Sequence, residues 1–154
     1  MAAFRIEQLS ASTLSGNDWD TIEVLRMALS EHALPRSYEE TRTRLSDPSD
    51  RFWIAREKTS EDIVGMATLT LITTHTADVG IINDVIVLPE WWGNGLRHIL
   101  TMTLLSVAAE VGIREVFLTS NPNNPDRTHA RSGYEADGFI PSTDGRFMTI
   151  DLSL

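Results

Sequence analysis

The sequence has 154 residues, of which 42% are hydrophobic, and its 13 basic and 22 acidic side chains give a formal net charge of −9. This length predicts one domain, residues 1–154, that is large enough to bury its own core. No apolar run approaches the roughly 20 residues of a membrane-spanning helix, and an excess of acidic side chains disfavours nucleic acid as a partner because it repels phosphate. The absence of cysteine excludes disulfides, thiol nucleophiles and cysteine-ligated metal sites. The first residues also lack the apolar stretch of a signal peptide, so we expect a cytoplasmic protein without a membrane partner.

Two helices are predicted in the N-terminal part of the chain. Apolar residues recur at helical spacing over 22–29, after Asn17 and Asp18, which we interpret as possible caps. The segment 37–40, Ser-Tyr-Glu-Glu, has the pattern of a capping box. It predicts a second short helix that ends at about Leu45.

Strands dominate the middle and the end of the chain. Alternating, β-branched or aromatic residues predict strands over 4–9, 52–55, 63–72, 79–88, 116–118 and 147–152. A long amphipathic helix over 96–111 that ends at Gly112 joins the fourth and fifth strands, and a short helix is predicted over 127–137. A strand–helix–strand unit implies one parallel pair. The sequence therefore predicts a mixed α/β fold, with a mostly antiparallel sheet, one parallel pair and helices on both faces.

The loop before the long helix, Trp-Trp-Gly-Asn-Gly over 91–95, has the composition of an anion-binding turn. A helix N-terminus offers unpaired N–H groups and a partial positive charge to a phosphate, and glycines let the backbone approach closely. The loop is too short for a P-loop and no Gly-Lys-Ser/Thr follows it, so nucleotide hydrolysis is not indicated. By itself, a Gly-x-Gly pair more often only builds a tight turn.

The surroundings of this loop resemble the coenzyme A-binding motif of the GNAT N-acetyltransferases. Segment 84–96, Asp-Val-Ile-Val-Leu-Pro-Glu-Trp-Trp-Gly-Asn-Gly-Leu, is similar to the family's strand ending in Val-x-Pro-Glu, followed by an aromatic residue, Arg or Gln, Gly-x-Gly and Ile or Leu. A second segment, 127–139, resembles the family's Arg-x-x-Ala…Tyr-Glu-x-x-Gly-Phe pattern. The two motifs span roughly the C-terminal half of the chain, and the N-terminal half agrees with the family in element order.

The resemblance implies acetyl-CoA as the acetyl donor and a small-molecule amine as the acceptor, with transfer by direct attack in a ternary complex. It assigns the N–H of Val87 to the thioester carbonyl and Tyr134 to protonation of the departing thiolate. Asp84 is the candidate for the general base or the carboxylate that orients the amine. The residues that the resemblance implies for cofactor binding are Val87, Leu88, Trp92, Gly93, Asn94, Gly95, Leu96, Arg97, His98 and Asn121.

Three positions depart from the family's pattern. Trp92 stands where Arg or Gln is usual, Arg97 stands where a small residue is usual, and Gly133 replaces a large apolar residue before Tyr134. We expect the Arg97 guanidinium either to turn outward and bind the pyrophosphate or to obstruct it. Gly133 is expected to loosen the packing of its turn.

Two other functions remain open from the sequence: a non-catalytic acetyl-CoA-binding regulatory module, which Trp92 and Arg97 favour, and a protein or peptide N-acetyltransferase. The histidines lack the spacing of metal ligands, so no metal is expected, and the absence of a Gly-x-Ser-x-Gly elbow disfavours a serine hydrolase. Arg36, Arg42 and Arg44 either receive an acidic group of the substrate or form a solvated helix face. The resemblance is also compatible with a homodimer.

Overall fold

The computed structural model describes residues 3–119, 128–143 and 147–153. Within these ranges the strands are β1 Phe4–Gln8, β2 Asp50–Glu57, β3 Ile63–Thr73, β4 Asp78–Val87, β5 Glu115–Thr119, β6 Ile140–Pro141 and β7 Phe147–Asp151. The helices are α1 Gly16–Leu29, α2 Tyr38–Leu45, α3 Leu96–Glu110 and α4 Thr128–Ala136. A single 3₁₀ turn, Pro89–Trp91, connects β4 to the loop before α3. None of the described helices has the length and apolar content needed to cross a bilayer.

The strands form one sheet in the order β1-β2-β3-β4-β5-β7-β6. Neighbouring strands are antiparallel except β4 and β5, which run parallel and are connected through α3. This confirms the predicted mixed sheet with one parallel pair. The two-residue β6 was not predicted, because two residues are too few to show a period of alternation.

Helices cover both faces of the sheet, as predicted. Side chains of successive strand residues point to opposite faces, so Met66 of β3 joins one buried cluster and Ala67 joins the other. Ile22 and Leu25 of α1 complete the Met66 cluster, against which residues of α2 also pack. The buried side of α3 completes the other cluster.

Hydrogen bonds at the helix starts decide where α1 and α2 begin. The predicted capping box is confirmed, since Ser37 Oγ accepts from Glu40 N at 3.1 Å and Glu40 Oε2 accepts from Ser37 N at 2.6 Å. The predicted caps Asn17 and Asp18 are wrong. Ser15 is the N-cap, and its Oγ accepts from Asp18 N at 3.0 Å.

Asp18 is instead part of a buried ion pair that fixes α1 against the sheet. Its two carboxylate oxygens accept from Arg56 Nη1 and Nη2 at 2.8 and 3.1 Å. Arg56 also donates to Glu7 Oε1 at 2.8 Å and to the Glu61 carbonyl at 2.7 Å. The hydrogen bond to Asp18, more than that to Glu7, raises the pKa of Arg56 above its usual value despite burial. The position of α1 is thus fixed by a charged contact as well as by apolar packing.

Candidate functional site

β4 extends beyond the last residue that pairs with its parallel neighbour, β5. Paired positions of β4 and β5 run from Val79–Glu115 to Ile82–Leu118, whereas β3 follows β4 as far as Val87. Among the described residues, no strand pairs with the β5 side of residues 83–87. One backbone edge of β4 therefore faces a gap in the sheet.

A β-bulge lies where the parallel pairing stops. Met66 pairs with Ile86 and Thr68 pairs with Asn83, so three steps along β4 correspond to two along β3. Asp84 has a φ of 53°, a left-handed conformation that non-glycine residues seldom adopt. A bulge bends its strand and redirects the side chain at that position, and the Asp84 side chain is exposed. This local irregularity lies directly beside the gap.

The backbone of Val87 faces the gap. Leu88 N donates to Val64 O at 2.9 Å on the β3 side, and adjacent residues of a strand direct their backbone groups to opposite sides. The indole Nε1 of Trp92 donates to Val87 O at 2.8 Å, from the side opposite β3. Val87 therefore directs its N–H as well as its carbonyl toward the gap, next to an exposed tryptophan.

The glycine turn leads directly into the first turn of α3. Gly93 and Gly95 have φ of 85° and 75°, and a Cβ at either position would meet nothing within 4 Å. Backbone conformation, not space, therefore requires glycine at both positions. The Asn94 side-chain amide holds the turn by donating to Trp91 O at 3.0 Å.

The start of α3 presents several backbone amides in one direction. Gly95 is the N-cap, no side chain caps the helix, and the first helical hydrogen bond is donated by Ile99 N to Gly95 O at 3.0 Å. The amides of residues 96–98 consequently have no acceptor within the helix. Buried Leu96 anchors this first turn in the core. Such a helix start is suited to binding a phosphate group.

Arg97 turns toward α4 and does not cover the start of α3. Its Nη1 lies 3.0 Å from Asp137 Oδ2, and its Cζ lies 4.7 Å from the centre of the Tyr134 ring. Gly133 leaves the space that this guanidinium fills, because a Cβ at 133 would lie 2.7 Å from Arg97 Cζ. In this structure the Arg97 guanidinium lies against Asp137 and Tyr134, so its binding to a pyrophosphate stays a prediction, whereas the space at Gly133 is filled and not loosened. The two departures from the family's pattern compensate each other.

Asp137 joins the beginning of α3 to the end of α4. Its side chain is only 5% exposed, and its Oδ1 lies 2.6 Å from His98 Nδ1 while its Oδ2 holds Arg97. Asp137 was not among the residues predicted for the site. Two features of the sequence pointed to it. An acidic residue follows Tyr134 by three positions, and the unusually large Arg97 on α3 is matched by the unusually small Gly133 on α4.

Tyr134 lies on α4 in the same buried cluster as Val87. It is 8% exposed, and Phe139 packs against its ring edge-to-face with the ring centres 5.9 Å apart. Leu88 is partly buried between the two clusters. Asn121 and Arg127 lie outside the described residues. The structure thus brings Val87, the glycine turn and the first turn of α3 to one gap, with Tyr134 in the adjoining core.

Asp84 lines a pocket on the face that α1 and α2 cover. The pocket is open to solvent: about 60 Å³ of it is available to a water-sized molecule, within about 520 Å³ of empty space that includes bulk solvent. Its apolar lining comes from Ile22, Leu45, Phe52 and Met66, and its polar lining from Arg26, Arg36, Thr41, Arg44, Asp50, Thr68 and Asp84. Arg42 is not part of this lining; its side chain pairs with Glu39 at the surface. In the described ranges, no group of three or more potential ligands is arranged to hold a metal ion.

Known proteins resemble this chain in sequence or in structure. A family model described as the acetyltransferase (GNAT) family matches residues 19–134, more than half of the chain. No curated protein matches the sequence.

Several solved structures share the fold. An acetyltransferase from Trypanosoma brucei is 26% identical, with 90% of this chain and 94% of that chain covered and a TM-score of 0.72. Glucosamine-6-phosphate N-acetyltransferase from Arabidopsis thaliana is 18% identical, with 92% and 95% covered and a TM-score of 0.70. An aminoglycoside acetyltransferase from an uncultured soil metagenomic sample, in complex with sisomicin, is 17% identical, with 88% of each chain covered and a TM-score of 0.73. The last two identities are low enough that they support the fold alone.

Proposed function

The chain is an acetyltransferase of the GNAT family, and we propose that it transfers an acetyl group from acetyl-CoA to the primary amine of a small molecule by direct attack in a ternary complex. The observation that carries this proposal is the gap beside β4, which runs from the bulge at Asp84 to the glycine turn and the first turn of α3. Both GNAT-like segments contribute residues to the surroundings of this gap.

The chemistry of the gap fits a donor that carries amides and a diphosphate. The outward backbone groups of Val87 suit an amide-bearing chain that lies beside β4 as an additional strand would. The amides of residues 93–98 suit a diphosphate, because the glycine conformations and the uncapped helix start direct N–H groups outward. Acetyl-CoA has both features and supplies an activated acyl group. Trp92 must release the Val87 carbonyl if the donor uses that acceptor.

Three groups of this chain are proposed to act on the reacting atoms. The Asp84 carboxylate accepts the proton that the amine loses as its nitrogen forms the new C–N bond. The N–H of Val87 donates to the carbonyl oxygen while negative charge develops there. Tyr134 donates its phenolic proton to sulfur as the C–S bond breaks. The products are an N-acetylated amine and a free thiol, so the thiol can be used to monitor turnover.

The acceptor class follows from the family and from the pocket at Asp84. Two proteins of the same fold are named for acting on amino sugars, an aminoglycoside in one case and glucosamine 6-phosphate in the other. The pocket here is a depression between α1, α2 and the sheet that opens to solvent. These observations support a small molecule more than a protein segment as the acceptor.

Thiol release and calorimetry test the proposal together. Acetyl-CoA should bind to the purified chain, and thiol should appear when an amine library is added. Tyr134→Phe should lower kcat by about 10²-fold or more, the contribution typical of general acid catalysis, while the Kd for acetyl-CoA changes little. Tyr38→Phe is the matched control, because the Tyr38 hydroxyl only donates to Leu14 O at 2.8 Å. An unchanged kcat in Tyr134→Phe contradicts the assigned role, and binding without thiol release for any amine contradicts the proposed activity.

A further inference from the structure

We infer that the acceptor is a zwitterion, a primary amine that also carries a carboxylate or phosphate, and that Arg36 binds the anionic group while Asp84 receives the ammonium. This inference rests on the proposed function and specifies the substrate class for the same site. It follows from the charges, the buried hydroxyl and the apolar floor of the pocket between α1, α2 and the sheet.

Two of the three arginines that line the pocket are already neutralised. Arg26 Nη1 lies 2.5 Å from Glu23 Oε1, and its Nη2 donates to Leu34 O at 3.1 Å. Arg44 Nη2 lies 3.2 Å from Asp50 Oδ2. These two cations therefore add little net charge for a ligand to use.

Arg36 differs because its backbone is fixed and its guanidinium is not engaged. Its N–H donates to Glu23 Oε2 at 2.9 Å, and its carbonyl accepts from Trp19 Nε1 at 3.1 Å. No described residue forms a salt bridge or hydrogen bond with the Arg36 guanidinium. The pocket thus has a cation on an anchored stretch of chain, available for a bidentate contact with a carboxylate or phosphate.

Asp84 is the corresponding free anion. Its carboxylate has no hydrogen-bond or ion-pair partner in the described ranges, although the left-handed backbone at the bulge commits this residue to the pocket lining. An unpaired carboxylate in the lining of a pocket favours a cationic ligand group. An anion without an amine would satisfy Arg36 but would place negative charge near Asp84.

Thr41 supplies an independent indication of a ligand. The residue is 6% exposed, it lines the pocket, and its Oγ1 is buried without a hydrogen-bond partner. A buried hydroxyl without a partner destabilises a fold, so native proteins seldom retain one without a use. A polar ligand atom would satisfy it. The apolar floor formed by Ile22, Phe52 and Met66 then accommodates the carbon spacer between the two charged ends.

The unpaired arginine in this pocket contrasts with the negative net charge of the whole chain. A chain with a net charge of −9 repels anions from most of its surface. An unpaired arginine in the acceptor pocket works against that general repulsion at one place. Only a ligand with both charges complements Arg36 and Asp84 at the same time.

A matched amine panel tests the inference. The panel contains ω-amino carboxylates of increasing length, their ω-amino amides, and ω-aminoalkyl phosphates with the corresponding amino alcohols. For the best spacer, kcat/KM of the member with the anionic group should exceed that of its partner without one by about 10- to 100-fold, as expected for one charge-assisted hydrogen bond. The carboxylate and phosphate arms identify which anion the site prefers. Equal kcat/KM within every pair contradicts the inference.

Variants of two arginines localise the effect. Arg36→Gln should raise KM for the preferred zwitterion about 10- to 100-fold with little change in kcat. It should also remove the preference over the partner compound that lacks the anionic group. Arg36→Glu should invert that preference toward diamines. Arg42→Gln is the control, because Arg42 pairs with Glu39 outside the pocket lining. An equal loss in Arg36→Gln and Arg42→Gln overturns the assignment of Arg36.

A binding measurement separates failure of this inference from failure of the proposed function. Calorimetry with the best ω-amino carboxylate, in the presence of coenzyme A, should give a Kd that Arg36→Gln weakens as much as it raises KM. Turnover of amines that lack an anionic group, with no contribution from Arg36, refutes the zwitterion and leaves the acetyltransferase proposal intact. Zwitterion binding through Arg36 without thiol release refutes the activity and supports the ligand class.

Discussion

Replacing Gly133 by alanine tests whether this glycine exists to make room for Arg97. In a helix without steric conflict, Gly→Ala stabilises by about 1 kcal/mol. Here the added Cβ would lie 2.7 Å from Arg97 Cζ and 3.0 Å from Nε, and the three atoms nearest to it all belong to Arg97. The guanidinium must therefore shift, which disturbs its contact with Asp137, whose carboxylate is only 5% exposed. Because the guanidinium is the end of a flexible side chain, the cost comes from its weakened hydrogen bond to the buried Asp137 carboxylate, about 1.5–3 kcal/mol for a charged partner, so Gly133→Ala should lower the free energy of unfolding.

The sign should reverse when Arg97 is absent. In an Arg97→Ala background the nearest atoms are gone, and Gly133→Ala should stabilise by about 0.5–1 kcal/mol through helix propensity. The coupling between the two substitutions would then be about 2 kcal/mol, well above the error of additivity for independent sites. Urea titrations of the four proteins measure it, with equal m-values required for the comparison.

Gly16 provides the control for this cycle. It lies in the first turn of α1, and a Cβ there would meet nothing within 4 Å. Gly16→Ala should therefore change the free energy of unfolding by the same small amount whether or not Arg97 is present. The reasoning fails if Gly133→Ala destabilises the wild type and the Arg97→Ala protein equally.

Three further substitutions probe the site and its support. Trp92→Phe removes the indole donor to Val87 O. It should tighten acetyl-CoA binding severalfold, because one competing hydrogen bond is worth roughly 1 kcal/mol. Weaker binding in calorimetry would instead make the indole part of the acetyl-CoA site. Asp84→Asn tolerates the left-handed φ of 53° and should keep the melting temperature while lowering kcat at least 10²-fold, so an unchanged kcat argues against a general base there. Although burial alone would raise it, hydrogen bonds from Arg56 and a second arginine hold the pKa of Glu7 below its usual value of 4.5. A carboxylate with a depressed pKa stabilises the fold at a pH above its usual pKa, and this stabilisation is lost as the pH falls below that pKa. Arg56→Met should therefore flatten the acid branch of a stability–pH curve and also cost about 3–5 kcal/mol near neutrality. An acid branch as steep as in the wild type would disprove this linkage.

The elements set by local sequence were predictable, whereas the contacts between distant segments were not. The capping box at 37–40 follows from four adjacent residues, and the parallel pair follows from one strand–helix–strand unit. The cap of α1 was misassigned because Asp18 is as good a capping residue as Ser15 by type. Its use in a buried pair with Arg56, 38 positions away, is a tertiary contact that no local pattern contains.

The glycine turn shows the same limit within the site. Its two glycines and the helix start were evident from the sequence, since conformation and composition at 93–95 are local properties. The direction of the Arg97 side chain was not, because it depends on Asp137 and on space at Gly133 on another helix. Each departure from the family's pattern seemed unfavourable alone. Only their contact in space shows that a large residue and an absent side chain compensate each other.

The bulge at Asp84 connects the donor side of the site to the acceptor side. One extra residue in β4 lies where pairing with β5 ends, so the same part of the strand contains the Val87 edge, which no described strand pairs with, and Asp84, which lines the α1–α2 pocket. A regular strand would alternate its side chains and would continue its ladder with β5. Removing the extra residue would therefore change both the gap and the pocket. The left-handed residue at this bulge is an aspartate, which tolerates that conformation better than most residues and also carries the carboxylate that faces the pocket. The backbone strain and the proposed chemistry thus belong to one residue.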